Sequence, residues 1–221
     1  MKIAYDKMST VIEMLPDCVS SLVVENAPFL YQLLIDFKLV MEGEDSGIVV
    51  SKQDKPVSAS KTMVLVTDFV EFTLNQKSLL AKVISELDKI AKNEIYYQES
   101  QKLLTSIENY ILGLTLDFPC AISCEKLNIQ NLLKGAGISI VDDYGNLEER
   151  ILAYMDLVRE FEEKELFVFV NLRCLVPPER LQLMIDTALT REYQILLIDN
   201  VEYPKLSKEK RIIIDEDFCE I

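Results

Sequence analysis

The chain has 221 residues, 49% of them apolar, and a formal net charge of -14. That length suits one domain, or one domain carrying an insertion, and the apolar share can build a real core. There is no histidine, which excludes a histidine general base, a Ser-His-Asp triad, a Cys-His dyad and any His-ligated metal.

No apolar run approaches the roughly eighteen residues that mark a membrane helix. The N-terminal stretch MKIAYDKMSTVIEMLPD lacks the features of a signal peptide. Five scattered cysteines, Cys18, Cys120, Cys124, Cys174 and Cys219, read as free thiols in a reducing, cytoplasmic compartment. The acidic balance argues on its face against nucleic acid as a partner. It is only a sum, however, and a basic stripe on one face can coexist with acidic faces elsewhere.

Three sections follow in chain order. Residues 1–72 read as mostly strand with one helix: SSLVVEN as a short strand, then APFLYQLLIDFKLVME as a helix capped by Asn26. The strand GIVVS, the polar loop KQDKPVSASK and a buried strand over Met63–Thr67 complete it. Residues 73–161 read as nearly all helix. NQKSLLAKVISELDKIAKNE spaces Leu79, Leu80, Val83, Ile84, Leu87 and Ile90 on one face, and ESQKLLTSIENYILGLTLDF does so with Leu103, Leu104, Ile107, Ile111 and Leu114. After the breaker DFPCAIS comes a short helix, EKLNIQNLLKGAG, ending in glycines. GISIVDD is a brief strand or extended piece, and NLEERILAYMDLVREFEEK is a helix with Asn146 as cap and Glu148 and Glu149 in its first turn. Residues 162–221 return to alternation: strand ELFVFVN, helix VPPERLQLMIDTALTRE, strand YQILLIDN and a last strand RIIIDEDF. Strand, helix and strand joined by short links make a βαβ unit and an at least partly parallel sheet. The first and last sections together predict one α/β head interrupted by a helical insertion.

Two buried strands run into acids, Asp68 and Asp199, as in nucleotide hydrolases that present a carboxylate to magnesium. The phosphate-cradling loop G-x-x-x-x-G-K-[ST] is missing, as is G-x-G-x-x-G; none of the six glycines has that setting. The other meaning of both acids is a polar strand end that caps the following turn. CAISC, Cys120 to Cys124, has the spacing of half a zinc site without a second pair, and two core-packed thiols are the simpler expectation. Asp142-Asp143 and Glu148-Glu149 could each serve a hard cation, or be a solvated turn and a helix-dipole complement. EFEEKE reads as a solvated face. Lysines concentrate mid-chain: Lys52, Lys55 and Lys61 in a loop-like stretch, Lys77, Lys82, Lys89 and Lys92 on the next helix, and Lys126 and Lys134 on the short helix after the breaker. Binding to a phosphate backbone needs such lysines and no base-reading side chains.

Order, spacing and apolar pattern of TMVLVTDFVEFTLNQKSLLAKVISELDKI, LLKGAGISIVDD, ERILAYMDLVREFEEKELFVFVN, YQILLIDN and RIIIDEDFCEI resemble the small CRISPR-associated adaptation protein of type II-A systems. The resemblance runs through nearly the whole chain. It implies a P-loop-NTPase-like α/β head without nucleotide motifs, an inserted helical leg and no enzymatic activity. It further implies a homotetrameric ring that takes double-stranded DNA, preferentially at ends, through a lysine-lined hole. The role implied is spacer acquisition in antiviral defence, alongside the CRISPR integrase proteins and effector nuclease. Lys52, Lys55, Lys61, Lys126 and Lys134 are the DNA-binding candidates. Calcium near the head–leg junction is also implied, with Asp117, Glu125, Asp142 and Asp143 as its candidates, a sparser acidic set than the family carries there. Two other expectations stay open: a nucleotide-binding or hydrolysing protein acting around Asp68 or Asp199, and a protein-interaction adaptor whose lysines are incidental.

Overall fold

The structure, a computed structural model, describes residues 1–123 and 125–221. The expectation for Cys124 lies outside the described residues. The chain divides into two compact units, Met1–Phe72 with Asp143–Ile221, and Thr73–Asp142.

The first unit is built on a five-stranded parallel sheet ordered β6-β7-β8-β3-β9. Its strands are β3 (Val19–Val24), β6 (Met63–Val66), β7 (Leu166–Val170), β8 (Gln194–Asp199) and β9 (Glu209–Ile214). Every residue of β7, LFVFV, is buried, because both faces of the sheet are covered. On one face Leu22, Val24, Val168, Leu196 and Ile198 pack with Leu33 and Phe37 of α1 (Ala27–Glu42). A small antiparallel sheet joins the same core through Ile3, Tyr5 and Val50. It is formed by β1 (Lys2–Tyr5), β2 (Ile12–Glu13), β4 (Ile48–Lys52) and β5 (Lys55–Pro56) in the order β2-β1-β4-β5. A buried Asp36 fastens α1 to this layer, accepting from Tyr5 Oη at 2.5 Å, Lys7 Nζ at 3.0 Å and Gln32 Nε2 at 3.0 Å. Burial pushes the Asp36 pKa up, but those three donors outweigh it and hold the group below its ordinary value.

The opposite face carries Phe167 and Phe169, which meet Tyr193 at 5.5 Å and Phe69 at 6.2 Å between ring centroids. Over it lie α6 (Leu147–Glu162) and α7 (Pro178–Thr190), which bury Ile151, Met155, Val158, Leu181 and Ile185. Phe72 closes edge-on against Tyr154 of α6 at 5.0 Å. The expected helical section 73–161 is therefore too long at its C-terminal end, since α6 belongs to the α/β unit. Its apolar stripe looks the same in sequence whether it faces a sheet or other helices.

The second unit holds α3 (Lys77–Ala91), α4 (Tyr97–Thr115) and α5 (Ile129–Gly135). Leu74, Leu79, Ile84, Leu104 and Ile129 form its interior. Asp88, buried on α3, accepts from Lys92 Nζ at 2.6 Å and from Gln130 Nε2 of α5 at 3.1 Å, so a carboxylate fixes how those two helices meet. GISIVDD forms no strand. Instead, the Asn75 side chain clamps the backbone of Ile140, accepting from its N–H at 2.7 Å and donating to its carbonyl at 2.9 Å. Of the apolar stripe expected on α4 only Leu104 is buried; Leu103 and Leu114 are exposed, as are the neighbouring Tyr110, Leu116 and Phe118. Among the described residues no helix is long and apolar enough to cross a membrane.

Candidate nucleic-acid interface

The place where a nucleotide would sit in an α/β head is the turn from β3 to α1. Only Glu25 and Asn26 lie between these elements. A phosphate loop wraps its ligand in a run of free backbone N–H groups, and two residues cannot supply it. Several of the polar groups there are already engaged. The Asn26 side chain accepts from Phe29 N at 3.0 Å and donates to the Glu216 carbonyl at 2.9 Å, Glu25 N donates to Ile214 O at 2.9 Å, and Pro28 has no N–H. The segment after β9 covers the helix start, with Phe218 edge-on against Phe29 at 5.3 Å.

The two strand-end acids have separate duties. Asp68 Oδ1 accepts from Val70 N at 2.8 Å and Glu71 N at 3.2 Å, which caps the turn after β6. Asp199 is buried at 1% exposure, with Arg173 Nε 2.9 Å from its Oδ2. The same guanidinium reaches Glu209 Oε1 through Nη2 at 2.9 Å. Glu209 also receives Arg211 Nε at 2.8 Å, Ser21 Oγ at 2.5 Å and Leu206 N at 2.6 Å. Burial pushes Asp199 up to about 6, with the Arg173 charge pulling the other way and Glu209 adding to the rise. Glu209 is also desolvated, yet its donors win and hold it at about 2. An arginine thus neutralises this buried strand-end acid. Sequence reasoning missed Arg173 and Glu209. The one available signal was Asp199 itself, because an acid inside an apolar strand demands a cation, though nothing in the spacing says which.

The segment of Lys52, Lys55 and Lys61, expected as a loop, is a hairpin followed by a short helix. Lys52 ends β4 and Lys55 begins β5 as direct cross-strand partners. Between them Gln53 (φ 52°) and Asp54 (φ 58°) adopt the left-handed conformation that a two-residue hairpin turn requires. Lys61 lies in α2 (Ala59–Thr62), and all three lysines are exposed. Lys52 Nζ contacts Glu165 Oε2 at 2.7 Å, an exposed pair of small energetic weight, so it remains available to a phosphate. Lys134 sits in the last turn of α5, where a cation complements the helix dipole. Lys126 does not lie on that helix as expected; it is exposed three residues before its start, because Asn128 is the cap and accepts from Asn131 N at 2.8 Å.

The acids expected to hold calcium are placed differently. Asp117, Glu125 and Asp143 are exposed. Asp142 Oδ2 binds the opening of the second unit, accepting from Thr73 Oγ1 at 3.1 Å and Leu74 N at 3.0 Å. Among the described residues no group of three or more His, Cys, Asp or Glu side chains could hold a metal. Glu148 and Glu149 are first-turn acids: Arg180 Nη1 meets Glu148 at 3.2 Å, and the Asn146 side chain donates to Glu149 at 2.9 Å. EFEEKE is not wholly solvated, since Glu162 and Lys164 pair at 2.8 Å with both side chains largely covered. Cys120, expected in a core, is an exposed free thiol.

Residues 41–218 match the family model described as CRISPR-associated protein (Cas_Csn2). The structure is similar to the crystal structure of Stu0660 of Streptococcus thermophilus, with a TM-score of 0.60 at 13% identity over 97% of this chain and 74% of that one. A putative ABC transporter ATP-binding protein from Pyrococcus furiosus aligns over 96% of this chain and 94% of its own at 11% identity, with a TM-score of 0.41, too slight to bear on the fold. No curated protein matches the sequence significantly. With an α/β unit, a helical unit inserted between its two halves in sequence and a family match over most of its length, the chain belongs to the Cas_Csn2 family of CRISPR-associated proteins.

Proposed function

We propose that this protein binds double-stranded DNA without catalysis in CRISPR spacer acquisition, as a ring of four copies that threads onto DNA ends. The observation that carries this reading is the β4–β5 hairpin, which presents Lys52 and Lys55 side by side with Lys61 exposed just beyond. Such a cluster neutralises phosphates and carries no base-reading group. A net charge of -14 does not forbid such a cluster, because Asp54 in the turn is engaged by Lys2 and Glu165 pairs only at the surface with Lys52. Integrase proteins and the effector nuclease are the partners this role entails. The test is retention of one plasmid in linear and closed circular form: a threading ring holds the linear form, and equal affinity for both rules threading out.

Assembly is supported by the exposed apolar side chains at the end of α4 and just after it: Tyr110, Leu114, Leu116 and Phe118. Isolated exposed leucines are ordinary, but a run of them calls for a partner surface. Leu116→Asp with Phe118→Asp is expected to lower the sedimentation coefficient to that of a smaller species. An unchanged coefficient would place the contact elsewhere.

No ATP turnover is expected, because the two-residue β3–α1 turn is too short to wrap phosphates. Hydrolysis that disappears in Asp68→Ala would overturn the non-catalytic reading.

A further inference from the structure

The five strands of the parallel sheet run the same way, so their starts share one edge and their ends the other. Lys61 and Thr62 lead directly into β6 and Glu165 leads into β7, with Glu165 N donating to Thr62 O at 3.3 Å. Lys52 Nζ meets Glu165 Oε2 at 2.7 Å, which ties the hairpin to this starting edge. The β3–α1 turn, where a nucleotide would sit, is on the opposite edge, so the lysine cluster is distinct from the nucleotide position. Its lysines differ in one respect. Among the described residues no ion pair engages Lys55 or Lys61, whereas Lys52 has a carboxylate against it. Asp54, the acid of the hairpin turn, is taken by Lys2 at 2.9 Å. The side chains of Lys52 and Glu165 are 49% and 41% exposed, so a ligand can reach the pair from solvent.

We infer that Glu165 sets the strength of DNA binding at the hairpin, as a resident anion that a backbone phosphate must displace from Lys52. The inference rests on the DNA-binding reading above. A carboxylate oxygen 2.7 Å from an ammonium stands where a phosphate oxygen would stand, and the two anions repel each other. Binding therefore breaks one ion pair and leaves a bare carboxylate beside the duplex. An exposed pair is weak enough for this exchange to occur, and its cost corresponds to about a two- to fivefold loss of affinity for each copy in contact. Lys55 and Lys61 take a phosphate with no such exchange. When several copies engage one duplex the losses multiply, so a single acid tunes the whole assembly.

The experiment uses the full chain and a fluorescently labelled linear duplex, read by anisotropy at one fixed salt concentration. Glu165→Gln should bind about tenfold more tightly than the native protein if several copies make contact, and at least about twofold more tightly if one does. Glu179→Gln makes the same change of charge at an exposed position in the first turn of α7, at the opposite edge of the sheet, and is the control. It should alter the affinity little. In a Lys52→Gln background the gain from Glu165→Gln should shrink to that of the control, because no ion pair is left to exchange. Melting temperature and sedimentation of Glu165→Gln should match the native values, since the pair is exposed. An unchanged or weaker affinity in Glu165→Gln overturns the inference. So does an equal gain in Glu179→Gln, or a gain that is the same with and without Lys52, either of which would make the effect one of net charge. The glutamate variant of all three hairpin lysines separates the two failures. If it loses the duplex while Glu165→Gln gains nothing, this inference alone falls; if it binds as the native protein does, the hairpin is not the DNA site and both fall.

Discussion

Replacing Lys52, Lys55 and Lys61 with glutamate is expected to abolish binding of linear duplex DNA and leave the assembly intact. Four copies of the hairpin would bring about ten positive charges to one DNA, and each phosphate neutralised releases a counterion. If six or more phosphates are engaged, affinity should fall by about a thousandfold or more between low and moderate salt even in the native protein. The folded state tolerates the substitution because all three side chains are exposed. It removes the ion pair of Lys52 with Glu165, and exposed pairs of that kind contribute about 0–1 kcal/mol. The turn is set by the backbone of Gln53 and Asp54, not by the lysines. Gel retardation across a salt series, with sedimentation of the same variant, checks both halves. Unchanged affinity would move the DNA site to Lys126 and Lys134.

Arg173→Met is expected to cause a large loss of stability. It removes the cation that pairs with Asp199, while Glu209 keeps Arg211 and Ser21. Breaking a buried pair from one side costs about 3–5 kcal/mol. For a chain of this length that corresponds to a fall in melting temperature of about 10 °C. Adding Asp199→Leu should recover much of it, because an apolar pair needs no compensation. A double variant as unstable as Arg173→Met alone would show that the arginine acts mainly through Glu209.

The same network has a pH signature of known sign. Asp199, raised to about 6, takes up a proton in the folded state before the unfolded chain does. Its contribution to stability therefore grows as pH falls from 7 towards 4, and is lost as pH rises through 6. Glu209, held at about 2, works the other way: its contribution is present above its ordinary value of 4.5 and is lost as pH falls below that. Asp199→Asn should erase the gain near pH 6 and leave the acid-side loss. Melting temperatures from pH 4 to 8 would show a flat variant profile above pH 5 against a sloping native one; parallel profiles would remove Asp199 as the titrating group.

Most elements of the α/β unit were legible because their signals are local. LFVFV and QILLID are apolar runs that only a doubly covered sheet produces, and Asn26 and Asn146 announce their helices by cap chemistry. The assignment of α6 was not legible, since an amphipathic stripe states that a face is buried without naming what buries it. The first two strands, of four and two residues, are too short to show alternation, and Lys52-Gln-Asp-Lys55 lacks the Asn-Gly that usually marks a tight hairpin. The candidate site shows the same division. The lysines were visible as composition, but the pairing of Lys52 with Lys55 is a matter of register. Arg173 and Glu209 stand 36 positions apart on opposite sides of α7, and their meeting depends on the order of strands in the sheet.

The two-residue link between β3 and α1 also bears on how this fold can change. Single substitutions cannot turn Glu25-Asn26 into a phosphate cradle, because the deficit is one of chain length. An insertion would have to lengthen the turn, and the same event would have to dislodge Phe218 from Phe29 and free the Asn26 side chain from Glu216. Each step alone weakens the helix start and returns no chemistry. A phosphate cradle at this turn therefore requires several changes at once, none of them useful singly.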